Sequence, residues 1–145
     1  MSKTVNFSTQ LIIGGRPVPG IKGKTFETIN PANGKILANI AEASSEDVDK
    51  AVSTAHKAFH EGPWSKMAPA ERKKILLRFA TVIEAHSEEL AIMESMEAGK
   101  PITDCLEIDL PETINTIRWH AEAIDKLYDQ ISPSDPSVLS MIIRE

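Results

Sequence analysis

The side chains able to do chemistry are few. His56 and His60 stand four apart, a spacing that places two imidazoles on one helix face, as zinc ligands can be. No glutamate occupies the second position of that spacing and no third donor follows, so a solvated helix face accounts for the pair. Cys105 is flanked by Asp104, Leu106 and Glu107. Carboxylates raise a thiol pKa, the wrong direction for a nucleophile, and a structural cysteine is expected. Glu97, Asp109 and Glu112 surround a helix stop and a helix start, and their spacing alone asks only for capping and solvation. Gly23-Lys24-Thr25 ends like a phosphate loop, but Val18 stands where that motif needs glycine, and a strand pattern follows where it needs a helix. Trp64 and Trp119 lie outside any basic stretch and read as core or interface aromatics.

The elements that must position these groups belong to a chain of 145 residues, 41% hydrophobic and 26% charged, with a formal net charge of -5. That length allows one domain with a core. The acidic balance argues against nucleic acid or an anionic membrane as partner. No apolar run reaches membrane-spanning length, and the first residues lack a signal core. A single cysteine fits a reducing compartment, and a cytoplasmic location is expected.

Leu11–Ile13 is a short apolar run that stops at Gly14-Gly15, and a loop is expected across Pro17, Pro19, Gly20 and Gly23. Thr25 to Ile29 alternates as a half-buried strand does, and Lys35 to Ile40 reads as its return. Asn33-Gly34 between them suits a type I′ turn. Ser44 with Asp47 opens a helix whose buried face is Val48, Ala51, Val52, Ala55 and Phe59, closed by Gly62-Pro63. Pro69 fits the first turn of the next, with Ile75, Leu76, Phe79, Ile83 and Leu90 on its apolar face and a break expected near His86. Gly99 and Pro101 form a stop, with Lys100 suited to the helix's negative end. Asp109-Leu110-Pro111-Glu112 reads as a further start, with Asp109 as cap. Ile114, Ile117, Ala121, Ile124 and Tyr128 follow as an apolar seam. Ser132 to Pro136 is a linker, Val138 to Ile143 is strand-like, and the sequence looks cut after Glu145.

Taken in order, these pieces resemble the amino-terminal portion of an aldehyde dehydrogenase. The resemblance rests on Phe26 to Gly34, Phe59-His60-Glu61-Gly62-Pro63-Trp64, Ala70-Glu71-Arg72, Glu97-Ala98-Gly99-Lys100-Pro101, Arg118 to Glu122 and Ile142 to Glu145. Asp109-Leu110-Pro111, Ile117-Arg118-Trp119 and Ala121 to Lys126 look most like the γ-glutamyl-γ-aminobutyraldehyde dehydrogenase branch. The resemblance implies an α/β fold: a β-hairpin and the helical layer of a Rossmann-like cofactor domain over residues 1–131, then the first strand of an oligomerisation arm over 132–145, with the catalytic domain absent.

It also implies NAD- or NADP-dependent oxidation of an aldehyde, an aminoaldehyde among the candidates, to a carboxylic acid. A cysteine thiolate attacks, hydride leaves to the cofactor, and a glutamate activates water. All those residues, and the cofactor contacts, would lie beyond Glu145, so the chain alone is expected to be inactive. Carried over by position, Ile108, Asp109 and Glu112 would line the substrate tunnel. Thr28, Ile29 and Glu97 would hold a monovalent cation. The complete enzyme would be a homo-dimer or homo-tetramer. The rival reading is a small non-enzymatic helical interaction module that binds a partner along the Ile114 to Tyr128 seam.

Overall fold

The computed structural model describes residues 5–143; Arg144 and Glu145, the end of the strand-like match, lie outside them. Gly14 and Gly15, at φ 62° and 73°, supply the two positive angles of a type I′ turn. They join β1 (Leu11–Ile13) to β2 (Arg16–Val18), with Ile13 opposite Arg16. The expected loop therefore starts as a strand. Pro17 is tolerated because it faces Ile12, the pair next to the turn-closing one, where antiparallel alternation needs no N–H from it.

β3 (Thr25–Ile29) and β4 (Ile36–Ala41) form the second ribbon, as expected, with a register shift between Thr28 and Ile29. Their connection is not type I′, because Asn33 keeps a negative φ. Instead the buried Asn30 organises a longer loop: its Oδ1 accepts from Ala32 N–H at 2.9 Å and its carbonyl from Gly34 N–H at 2.8 Å. Backbone bonds from Ala41 N–H to Thr9 O (2.8 Å) and from Glu42 N–H to Lys24 O (2.9 Å) lace these segments together.

The capping box at α1 (Ser45–Glu61) is complete. Asp47, 2% exposed, accepts from Ser44 N–H at 2.8 Å and from Ser44 Oγ at 2.7 Å, and both its oxygens accept from Ile21 N–H. One carboxylate thus ties the helix start to the loop after β2, and these bonds hold it below the usual carboxylate pKa. The apolar face expected to be buried is not: Val48, Val52 and Phe59 are exposed, because β1 alone makes substantial contact with α1 among the described elements.

α2 (Pro69–Ala85) begins at its proline and breaks at His86, after which α3 (Ser87–Ala98) runs to Gly99. α4 (Ile102–Asp104), a π-turn (Cys105–Asp109) and α5 (Leu110–Ala123) then form one continuous helical path. The start expected at Asp109 is the end of that π-turn, and Asp109 is helical and caps nothing. Pro111 explains it: its ring would press on the carbonyl four residues back, and the wider turn, closed by Leu110 N–H to Cys105 O, relieves the pressure.

α5 packs antiparallel on α2, and Ala80 on α2 and Ile114 and Ala121 on α5 are buried. Lys73 bridges to Glu122 (2.7 Å) and Asp125 (3.1 Å), and Arg118 to Glu84 (2.6 Å), at opposite ends of this contact. The hydrogen bonds to Glu122 and Asp125 raise the Lys73 pKa. The other face of α2 is less covered than expected, with Ile75 and Phe79 exposed. Ile114 and Ala121 of the seam point inward, whereas Tyr128 lies beyond the helix and is exposed. β5 (Gln130–Ser132) and β6 (Ser140–Ile142) close a third ribbon, so the strand expected over Val138 to Ile143 is shorter and has a partner that alternation did not reveal.

Gly99→Ala should destabilise the protein by about 1–2 kcal/mol from the left-handed φ alone, measurable by urea denaturation. The added Cβ would also sit 2.7 Å from Pro31 Cγ. Asp47→Asn should change acid unfolding in a defined direction. A carboxylate whose folded pKa lies below the usual 3.8 adds stability above that value and loses it as pH falls through the folded one. Wild type should therefore exceed the variant in stability at pH 7, and the gap should close below about pH 4 in an acid-unfolding series.

Candidate functional site

Glu97 to Pro101 joins two parts of the molecule. Gly99, at φ 73°, stops α3, and its N–H donates to Ser95 O at 3.1 Å. Ser95 Oγ donates to Lys100 O at 2.7 Å, fixing the chain as it leaves the helix. The bare face of Gly99 abuts Pro31, so the helix stop rests on the loop after β3.

Lys100 then reaches back to the π-turn. Its Nζ donates to both oxygens of Asp109, at 2.6 Å to Oδ1, and this bond is the main cause of its raised pKa. Its place after the helix stop explains only a charge suited to the helix end. Its partner nine residues away is found only once the π-turn folds Asp109 toward it. Beside them Cys105 is fully buried against Ala91 and Leu110. Burial pushes its thiol up, and Glu94 and Asp109 push it further, so it stays a structural thiol, as expected.

Donor atoms of Glu94, Cys105 and Asp109 lie within 4.8 Å of one another. The Lys100 ammonium already sits on Asp109 and supplies the positive charge there, so the trio reads as an ammonium site and not a metal centre. The rings of His56 and His60 approach to 4.1 Å on the exposed side of α1, and they belong to no ligand group among the described residues.

Thr28, Ile29 and Glu97, the positions carried over for a monovalent cation, lie on β3 and near the end of α3. The β3–β4 pairing shifts register between Thr28 and Ile29. Gly99 on Pro31 brings the end of α3 to that hairpin, with Glu97 exposed two residues earlier. Glu97 also borders a cavity of about 710 Å³ with Glu94, Phe79, Ile83 and Leu110.

The three tunnel positions do not stand together. Ile108, in the π-turn, is 55% exposed, and Glu112, on the first turn of α5, is exposed too, whereas Asp109 turns inward to Lys100. Glu112 borders a second cavity of about 300 Å³ with Asn115, Thr116, Trp119 and His120. Trp119 is 67% exposed and Trp64 40% exposed, so neither is a core aromatic. The described residues do not fit a dinucleotide. Their sheets are three antiparallel pairs, and Gly23-Lys24-Thr25 leads into β3 and not a helix.

Among the described residues no helix is long and apolar enough to cross a membrane. The aldehyde dehydrogenase family profile matches residues 18–145. The chain is 47% identical over 145 residues to an aminoacetaldehyde dehydrogenase of Pseudomonas aeruginosa, covering 100% of this chain and 29% of that protein. It superposes on a crystal structure of γ-glutamyl-γ-aminobutyraldehyde dehydrogenase from Burkholderia cenocepacia with a TM-score of 0.91 at 34% identity, over 94% of this chain and 28% of that one. An indole-3-acetaldehyde dehydrogenase from P. syringae in complex with NAD+ matches with a TM-score of 0.90 at 37% identity, over 96% of this chain and 28% of that one. The chain thus spans under a third of the length of these relatives. On the profile match, the identity and the superposition together, the chain belongs to the aldehyde dehydrogenase family and corresponds to the amino-terminal part of its α/β fold.

Proposed function

We propose that the whole protein oxidises an aldehyde to a carboxylic acid with NAD or NADP, and that its substrate is an aminoaldehyde. The observation that carries this is the 47% identity, without loss of any part of the chain, to an aminoacetaldehyde dehydrogenase. The NAD+-complexed neighbour supports the cofactor class. The cofactor supplies the hydride acceptor.

In this reading residues 1–131 scaffold the cofactor domain and 132–145 begin the bridging arm of a cytoplasmic homo-dimer or homo-tetramer. Thr28, Ile29 and Glu97 hold a monovalent cation that fixes the hairpin to the end of α3. Ile108 and Glu112 border the substrate's route, with Glu112 offering a carboxylate to a cationic end. Asp109 lies between them in sequence but acts through Lys100, whose charge it absorbs. The interaction-module reading loses its motive, because Ile114 and Ala121 of the proposed partner seam are buried in the contact with α2.

The complete protein should form NADH or NADPH in the presence of aldehyde, while residues 1–145 should form none, since Cys105 is buried with a raised pKa and no other cysteine is present. Cofactor reduction by the 145-residue chain, or its absence from the complete protein with every aldehyde tried, would overturn this. In the complete protein, Glu112→Gln should lower the ratio of kcat/KM for an aminoaldehyde to that for an aliphatic aldehyde of equal length by about threefold to fivefold, the worth of a part-exposed ion pair. An unchanged ratio would remove Glu112 from substrate selection.

A further inference from the structure

The four histidines of the chain fall into two kinds by what their rings touch. His86 Nδ1 lies 2.9 Å from Val82 O, and His120 Nδ1 lies 2.8 Å from Thr116 O. Each of those rings is committed to a carbonyl one turn back on its own helix. His56 and His60 have the same kind of carbonyl within reach on α1, yet neither ring makes a hydrogen bond or ion pair among the described residues. They turn to one another instead, with centroids 4.1 Å apart and planes tilted by 54°. Both side chains are exposed, so their nitrogens are open to a ligand from solvent.

Spacing alone leaves such a pair as a solvated face, but the approach of the rings adds a geometry. Residues four apart on a helix stand about 5–6 Å apart at Cβ, on successive turns of one face. One ion held at about 2.0–2.1 Å by two imidazole nitrogens keeps those nitrogens roughly 3.3 Å apart. Rings already at 4.1 Å meet that span by turning about their own side-chain bonds. Phe59 steadies the His60 ring in an edge contact, centroids 5.0 Å apart and planes at 90°. The ammonium of Lys57, the nearest cation in sequence, is drawn toward Glu61 at 4.0 Å. No third donor joins the pair among the described residues, so a closed structural zinc site is not what it builds.

We propose that His56 and His60 form a surface clip for one divalent transition-metal ion of the imidazole-preferring class, nickel, zinc or copper. One nitrogen of each ring binds the ion, and water fills its remaining positions. The clip joins the last two turns of α1, ahead of Gly62, where Val52 and Phe59 are exposed and packing holds the helix little. An ion that binds only the folded helix stabilises that end.

The test titrates the complete protein with Ni2+ by calorimetry, near pH 8 in a non-coordinating buffer. Nickel is the probe because imidazole suits it, whereas thiolates select zinc and copper(I). Wild type should show a saturable site. His56→Gln and His60→Gln should each weaken it about a hundredfold, since either change turns a two-point attachment into one. Both side chains are exposed, so these variants should fold, which unchanged melting temperatures without metal would verify. A His60→Gln/Glu61→His variant keeps the number of imidazoles but sets them five apart, off the shared face, and should bind no better than His60→Gln. No saturable binding by wild type, equal affinity in wild type and either single variant, or recovery by the displaced histidine overturns the clip.

Discussion

The ammonium of Lys100 on the carboxylate of Asp109 is the contact around which the site half of the molecule is arranged. It spans the helix stop and the end of the π-turn, so it sets how far α4 swings from α3. It also meets the negative charge that Glu94 and Asp109 place around a buried thiol. Without the ammonium, two carboxylates and a cysteine would crowd one another in a part-buried space, where unpaired charge is costly. Cys105 can be buried there because Lys100 is present, and it is inert because the carboxylates are too.

A second tie of the same kind acts at the other end. Asp47 binds its own helix start and the Ile21 amide together, so the first ribbon and α1 are located by one carboxylate. Both devices use charged acceptors where apolar burial is thin. The described core is small, limited to alanines, Cys105, Leu110 and Ile114, and much of the apolar surface of α1 and α2 faces outward. Polar ties therefore set the geometry of elements that packing alone leaves loosely placed.

What could be read from residues was what local chemistry decides. The β3 limits, the Ser44–Asp47 box, Pro69 at a helix start, the break at His86 and the stop at Gly99 all depend on neighbours within a few positions. What escaped depends on distant ones. Gly14-Gly15 reads as the edge of a loop because Pro17 argues against a strand unless its pairing partner is known. Asp109 carries the signature of a cap, and only the continuous helix before it shows that none is needed. The apolar stripe of α1 has the spacing of a buried face, but spacing does not say what covers it. Of the site positions, Ile108, Asp109 and Glu112 come from the family resemblance and not from spacing; Ile108 and Glu112 are exposed, whereas the inward turn of Asp109 follows from the π-turn.

The π-turn has a consequence for how this segment can vary. It holds one residue more than an α-helix needs over the same rise, so the helical phase before it and after it are offset by one position. Deleting any residue between Cys105 and Asp109 would restore plain α geometry and turn everything upstream by about 100° against α5. Lys100, upstream of the turn, would then lose Asp109. The surface that α5 presents is therefore tuned by chain length as well as by side-chain identity. Single-residue insertions and deletions here would reshape it in discrete steps, while substitutions adjust it within one setting.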